Sequence, residues 1–307
     1  MLGTASGLLF AAPASAILST PSAAAAAASD SSRRESSLPV GDIQRILGAE
    51  GRVDNGVLDV DISRDDIDAS LRGIRFLPGF QIQHELYFQQ LDDGRAICNG
   101  DLALRASETQ PALDAFLAAD LVVQAFHQHW YDLKPEVWFI HFRGLGAPID
   151  LAHRVRSVID HTATKLPQTS PRNPHTTLPS ERIAKVLAGD ATVGENGIVT
   201  LEVPRAHGVR LDGIPVRPQM NLATSIQFQP LASGRAVAIP DFSMAADEVQ
   251  PVLAVMRRAG WDVGCLYNQE TGEQPQLYFS HMVKAGDPLA LAAEIRAGLD
   301  KTASVRA

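Results

Sequence analysis

The sequence predicts an α+β fold built by tandem duplication of an α-β-β-β-α-β-β-α unit with antiparallel sheets. Three observations predict it. Residues 71–160 align with 211–300 without a gap at a constant offset of 140, and 27 of those 90 positions are identical. Within each copy the apolar pattern switches between the two-residue period of a half-buried strand and the 3.6-residue period of a helix. The two longest apolar runs of each copy are joined by a short turn carrying glycine, the signal of a hairpin.

Upstream, Ile43-Gln-Arg-Ile-Leu47 matches Ile183-Ala-Lys-Val-Leu187, and Asp54-Asn-Gly-Val57 matches Glu195-Asn-Gly-Ile198 after one inserted residue. These matches put the repeats at 41–160 and 181–300, with a Pro-, Thr- and Ser-rich linker over 161–180 expected to be exposed. Residues 1–40 read as a signal-like or Ala/Ser-rich tail and 301–307 as a second tail.

In order, a short helix opens each copy (41–49 and 181–188). Leu58–Ile62 and Val199–Val203 alternate apolar and polar residues, as half-buried strands do. A hairpin follows, 82–91 with 95–104 around Asp92-Asp-Gly94, and 222–231 with 235–244 around Ala232-Ser-Gly234. Ser107 with Gln110, and Asp247 with Gln250, carry the spacing of a helix N-cap. Pro111 and Pro251 then fall in the first turn, where a missing N–H costs little. Strands are expected at 121–129 and 136–142, and at 261–268 and 276–282. A last helix starts at Pro148 and at Pro288.

Of the 307 residues, 45% are hydrophobic and 20% charged, the composition of a globular chain with a core. The net charge of −8, without a basic stripe, argues against nucleic acid as a partner. Cys98 and Cys265 are too few for a disulfide framework and read as small apolar side chains. No stretch after residue 40 has the roughly 18 apolar residues of a membrane span. Met1–Ala16 is apolar and ends in Ala14-Ser15-Ala16, a plausible signal-peptidase site, though no positive n-region precedes it. Its MLGTASGLLF resembles the middle of a twin-arginine signal, so export in folded form is expected; as a mere tail it would leave the chain cytoplasmic.

The chemistry concentrates in His127-Gln128-His129 and His141. On a strand, His127 and His129 share a face, and an antiparallel neighbour would bring His141 beside them. Three imidazoles with an open position suit Zn first, and Cu or Fe equally by donor type. His84 is a candidate fourth ligand, since an imidazole on an apolar strand face needs a partner. The second copy holds Thr224, Tyr267 and Gln269 where the first holds His84, His127 and His129; only His141 keeps its counterpart, His281. Each histidine also has an ordinary reading as a hydrogen-bonded core or turn residue. Glu85, Asp132 and Glu136 are weaker catalytic candidates, the last two as groups that orient a ligand's second nitrogen. Asp101 and Asp241 read as ties for the turn into the helix. Phe88, Trp130, Tyr131 and Trp138 could line a pocket or fill a core. No HExxH, phosphate loop, nucleophile elbow or dinucleotide fingerprint occurs.

Ala246-Asp-Glu-Val-Gln-Pro-Val-Leu253, Gly260-Trp-Asp-Val263, Pro275-Gln-Leu-Tyr-Phe-Ser-His281 and Gly286-Asp-Pro-Leu289 resemble the LppY/LpqO-like family over about residues 41–300. That resemblance implies a two-repeat bacterial protein, often exported or lipid-anchored, of unknown biochemical function. The family has a His-x-His like His127-Gln-His129 ahead of its proline, and the second copy departs from it at Tyr267-Asn-Gln269. No lipobox cysteine is present. The expectation is an exported metal-dependent enzyme, hydrolase or lyase ahead of oxidoreductase, acting on a small organic molecule; the rival is a non-catalytic binder of metal or small ligand. Oligomeric state is open.

Overall fold

The computed structural model describes residues 38–170 and 174–305; the tail expected before Leu38, with its signal-like stretch, lies outside the described residues. The first repeat runs α1 (Val40–Leu47), β1 (Arg52–Asp54), β2 (Val57–Ser63), β3 (Ser70–Leu71), β4 (Ile74–Arg75), β5 (Gln83–Gln90), β6 (Ala96–Arg105), α2 (Thr109–Ala118), β7 (Val122–His127), β8 (Leu133–Lys134), β9 (Val137–Gly146) and α3 (Pro148–Ile159). The second runs α4 (Ser180–Leu187), β10 (Ala191–Val193), β11 (Val199–Val203), β12 (Val209–Leu211), β13 (Ile214–Val216), β14 (Thr224–Pro230), β15 (Ala236–Met244), α5 (Val249–Arg258), β16 (Asp262–Val263), β17 (Glu273–Gln274), β18 (Tyr278–Gly286) and α6 (Pro288–Leu299).

Each repeat forms a six-stranded sheet, in the order β1-β2-β5-β6-β9-β7 and β10-β11-β14-β15-β18-β16, with antiparallel pairing throughout. The duplicated α+β unit is thus present in both halves. Each sheet buries one face under its own helices: Leu86, Phe88, Phe116, Phe142 and Val155 in the first repeat, and Phe228, Phe242, Met256, Trp261 and Ile295 in the second. Burying each such side chain contributes about 1.5–3 kcal/mol.

The opposite sheet faces meet each other. Short three-stranded ribbons, β4-β3-β8 and β13-β12-β17, which the sequence pattern did not announce, close this interface reciprocally. Leu71, Phe76, Trp130 and Leu133 of the first repeat pack on Val237, Ile239 and Val283 of the second. In mirror fashion, Leu211, Val216, Met220 and Leu277 pack on Val57, Tyr87 and Ile97. Gln229 Oε1 accepts from Leu77 N at 2.8 Å, and Gln89 Oε1 accepts from Arg217 N at 2.7 Å. The result is four layers, helices outside and two sheets within.

Three local expectations are corrected. The central helices start at Thr109 and Val249, not at Ser107 and Asp247, and neither start has a side-chain cap. A carboxylate at each start ties down the neighbouring chain instead. Glu108 accepts from Arg105 N and Ala163 N, each at 2.8 Å, while pairing with the fully buried Arg64; Glu248 does the same for Ala245 N with Arg205. The strand carrying the histidines ends at His127 and its partner runs on to Gly146, while its counterpart shrinks to Asp262–Val263 plus a bridge between Tyr267 and Phe279. Just past that strand the chain presses on the first repeat at Gly264, where a Cβ would strike the His129 carbonyl and come within 2.6 Å of Trp130 Cδ1. The linker is docked in part, because Gln168 makes two hydrogen bonds to the Ser63 backbone, at 2.8 and 2.9 Å. Among the described residues no helix is long and apolar enough to cross a membrane.

Candidate metal centre

Register builds the site. In the ladders, Asp61 lies opposite Glu85, Glu85 opposite Asp101, and Asp101 opposite His141. Residues opposite one another in a ladder share a face, so these four form a row across β2, β5, β6 and β9. The second repeat repeats the row as Glu202, Ser225, Asp241 and His281. Both rows face the space between the sheets.

His127 joins through a bulge. Val123 opposes Phe142 and Ala125 opposes His141, leaving Gln124 as the extra residue. A bulge reverses which face the following residues occupy. Val123 therefore packs on the helical core, whereas Ala125 and His127, of the same parity, face the other sheet. His129, just beyond the strand, stacks flat on Phe139 with ring centroids 3.5 Å apart and beneath His281 at 3.8 Å.

The ligand nitrogens of His127, His129 and His141 all lie within 4.8 Å of one another. His127 Nδ1–H donates to the Gln128 carbonyl at 3.2 Å, which leaves Nε2 of the neutral ring as a lone pair; it stands 3.0 Å from His141 Nε2. Two nitrogens each about 2.0–2.1 Å from one zinc ion are also about 3 Å apart. His129 is 5% exposed and neither of its nitrogens has a partner; His141 is 1% exposed and its Nδ1 has none. Burial pushes His127 down to about 4, and burial followed by repulsion among the neighbouring rings holds His129 and His141 well below the usual histidine range. These are neutral imidazoles with idle lone pairs, the donor set a divalent ion requires.

His84 is not part of this group. Leu86 and Phe88, its neighbours on one face of β5, belong to the helical core, and His84 Nε2 meets Thr164 Oγ1 at 2.7 Å on that side. Asp132 pairs with Arg72 at 2.6 Å and Glu136 is exposed, so neither orients a histidine. Glu85 does face the site, held by Gln83 Nε2 at 3.0 Å and the Tyr87 hydroxyl at 3.2 Å. Of the aromatic residues, Trp130 packs edge-on to His281, Trp138 packs on Phe126, Phe88 lies in the helical core and Tyr131 is exposed.

Asp101 and Asp241 sit mid-strand against histidines and tie no turn. His141 Nδ1 is 3.8 Å from Asp101 Oδ2, and His281 Nδ1 is 3.5 Å from Asp241 Oδ1. Tyr267 donates to Asp241 Oδ2 at 3.0 Å, and its ring lies 4.0 Å from that of His127. Cys265, a free thiol, stands 3.4 Å from His281 Nδ1, and burial pushes it well above the usual thiol range. The appearance of Asp101 and Asp241 at the same offset as His141 and His281 was the signal in the sequence, but its meaning needs the register.

Each repeat matches the family described as Domain of Unknown Function (DUF1259), over residues 41–161 and 181–301, and the chain belongs to that family. No curated protein matches it.

Proposed function

We propose that this two-repeat member of the DUF1259 family is a metal-dependent enzyme whose ion is held by His127, His129 and His141, with hydrolysis or elimination on a small organic molecule as its reaction. The observation that carries this reading is the convergence of three neutral imidazoles, His129 and His141 buried and His127 half-buried, with ligand nitrogens within 4.8 Å and both His129 nitrogens without partners. Zn fits best, and Cu or Fe suits the same donors. The ion would supply Lewis-acid polarisation and a coordinated water acidified toward neutrality.

The chain's own groups do the rest. Asp101, 3.8 Å behind His141 Nδ1, would close to a hydrogen bond and orient that ring once His141 held the ion. Glu85, raised above the usual carboxylate range by burial, holds or releases a proton at the edge of the histidine cavity. Tyr267 donates to Asp241 at 3.0 Å and fixes that carboxylate beside His281. Phe139 and His281 clamp His129 and keep water from it. Within the family we place the chain in the LppY/LpqO-like branch on its His-x-His segment, and we read its leader as an export signal. The second reading, a binder without turnover, draws on the cramped cavity beside the histidines, about 20 Å³.

Elemental analysis of the purified protein tests the assignment. About one metal ion per chain is expected in wild type and His281→Ala, and none in His127→Ala or His129→Ala, with melting curves showing that each variant is folded. Metal retained by folded His127→Ala but lost from His281→Ala would place the site in the second repeat.

A further inference from the structure

Beyond the histidines the two sheets part and leave a cavity of about 370 Å³. It shares Glu85, Ser225 and Gln227 with the small cavity that touches His129 and His281, so the two adjoin across one wall of side chains. Three inter-strand steps separate Asp61 from His141, about 14 Å at the usual strand spacing.

The cleft walls are acidic. Glu50, Asp59, Asp61, Glu85, Glu195 and Glu202 line them, and among the described residues Arg52 is the one lining cation. Arg52 is occupied: its Nε donates to Asp59 at 3.1 Å and its Nη2 reaches Glu202 at 3.8 Å. Glu85 has only neutral donors, and Asp61, open to the cleft, has no hydrogen-bond or ion-pair partner among the described residues. Two further carboxylates are incompletely answered, Asp59 meeting Arg52 through Oδ2 alone. Asp59 is 8% exposed and its Oδ1 has no partner. Asp101, 3% exposed on the wall of the histidine cavity, makes no side-chain hydrogen bond among the described residues and faces His141 Nδ1 at 3.8 Å. Buried carboxylates left without cations are costly, and a cationic ligand would relieve that cost.

We propose that this cleft binds an organic polycation, a di- or triamine, with its ammonium groups on Asp61, Glu85 and Glu202 and one end directed at the histidines. A small metal ion fits the walls less well, because among the described residues the histidine trio is the one group of three or more ligand atoms gathered within 4.8 Å. Extended amines match the row, in which carboxylates recur strand by strand. The orientation of the ligand rests on the histidine end being the reacting centre; the binding itself does not.

Isothermal titration of the metal-loaded protein with spermidine tests this, with magnesium ion and maltotriose as comparisons. Saturable one-to-one spermidine binding that weakens with salt is expected, with Kd raised about tenfold in Asp61→Asn and more in Asp61→Asn/Glu202→Gln, both checked by circular dichroism to be folded and to melt cooperatively. Absence of saturable spermidine binding, an unchanged Kd in the double variant, or tighter binding of magnesium or maltotriose overturns the proposal. His129→Ala separates the two readings: spermidine bound with metal lost supports both, whereas metal retained defeats the metal assignment and leaves the cleft standing.

Discussion

At Glu202 the two sheets' charges meet most directly. Burial first, then the nearby Asp59 carboxylate, pushes its carboxyl up to about 7, against about 4.3 in an unfolded chain. The folded protein therefore holds this proton more tightly than the unfolded one. The stability that follows is complete below about pH 4 and is lost as pH rises through about 7. Glu202→Gln removes that loss. Its melting temperature should exceed wild type by roughly 2–4 °C at pH 8, equivalent to about 1 kcal/mol, and match wild type near pH 4.5; calorimetry at the two pH values measures it. A gain of equal size at both would mean that packing, not charge, sets the difference. The sequence showed Glu202 as one polar position of an alternating strand and nothing more. Its chemistry comes from Asp59, 143 positions away in the chain and across the sheet interface.

Elements were legible where periodicity alone decides them. The opening helices, the long hairpins and the helices starting at Pro148 and Pro288 follow from apolar spacing and proline placement. What escaped was set by contacts between elements. Alternation placed His127 on the right face for the wrong reason, since the bulge at Gln124 resets the parity that a regular strand would have kept. His84 failed as a ligand because a single step along β5 selects the opposite layer. The starts of α2 and α5 escaped because Glu108 and Glu248, just ahead of each helix, are fixed by ion pairs and by backbone N–H groups from outside it. Arg64 Nη2 meets Glu108 Oε2 at 2.9 Å with the guanidinium fully buried, and Asp66 takes its Nε at 2.9 Å. Glu108→Ala would leave that cation short of a partner and two backbone N–H groups without acceptors. Its cost should be about 3–5 kcal/mol, read from urea unfolding, and Glu248→Ala should cost a similar amount in the other half. A loss under about 1 kcal/mol would mean that water or Asp66 replaces the missing carboxylate.

For the whole molecule the interface between sheets is core rather than contact. Phe80, Phe139, Val237 and Ile239 are buried in one cluster drawn from both repeats, and Tyr87, Leu211 and Leu277 in another. A single repeat expressed alone as residues 38–170 would present one such face to water. It should either lack a cooperative thermal transition or appear as a dimer by light scattering; a monomer melting cooperatively at the temperature of the full chain would show that each half is self-sufficient.

Gly264 gives the protein a timetable. His129 and Trp130 settle against a backbone position that the ribosome adds about 135 residues later, and His281 closes over His129 only after about 150. At 5–20 residues per second, roughly 10–30 s pass in which the first repeat has all three histidines and no lid over His129. During that interval the imidazoles face water, open to any ion present. Once β18 joins its sheet they are enclosed. On the proposed metal assignment, the compartment in which that last strand pairs would decide which ion is enclosed.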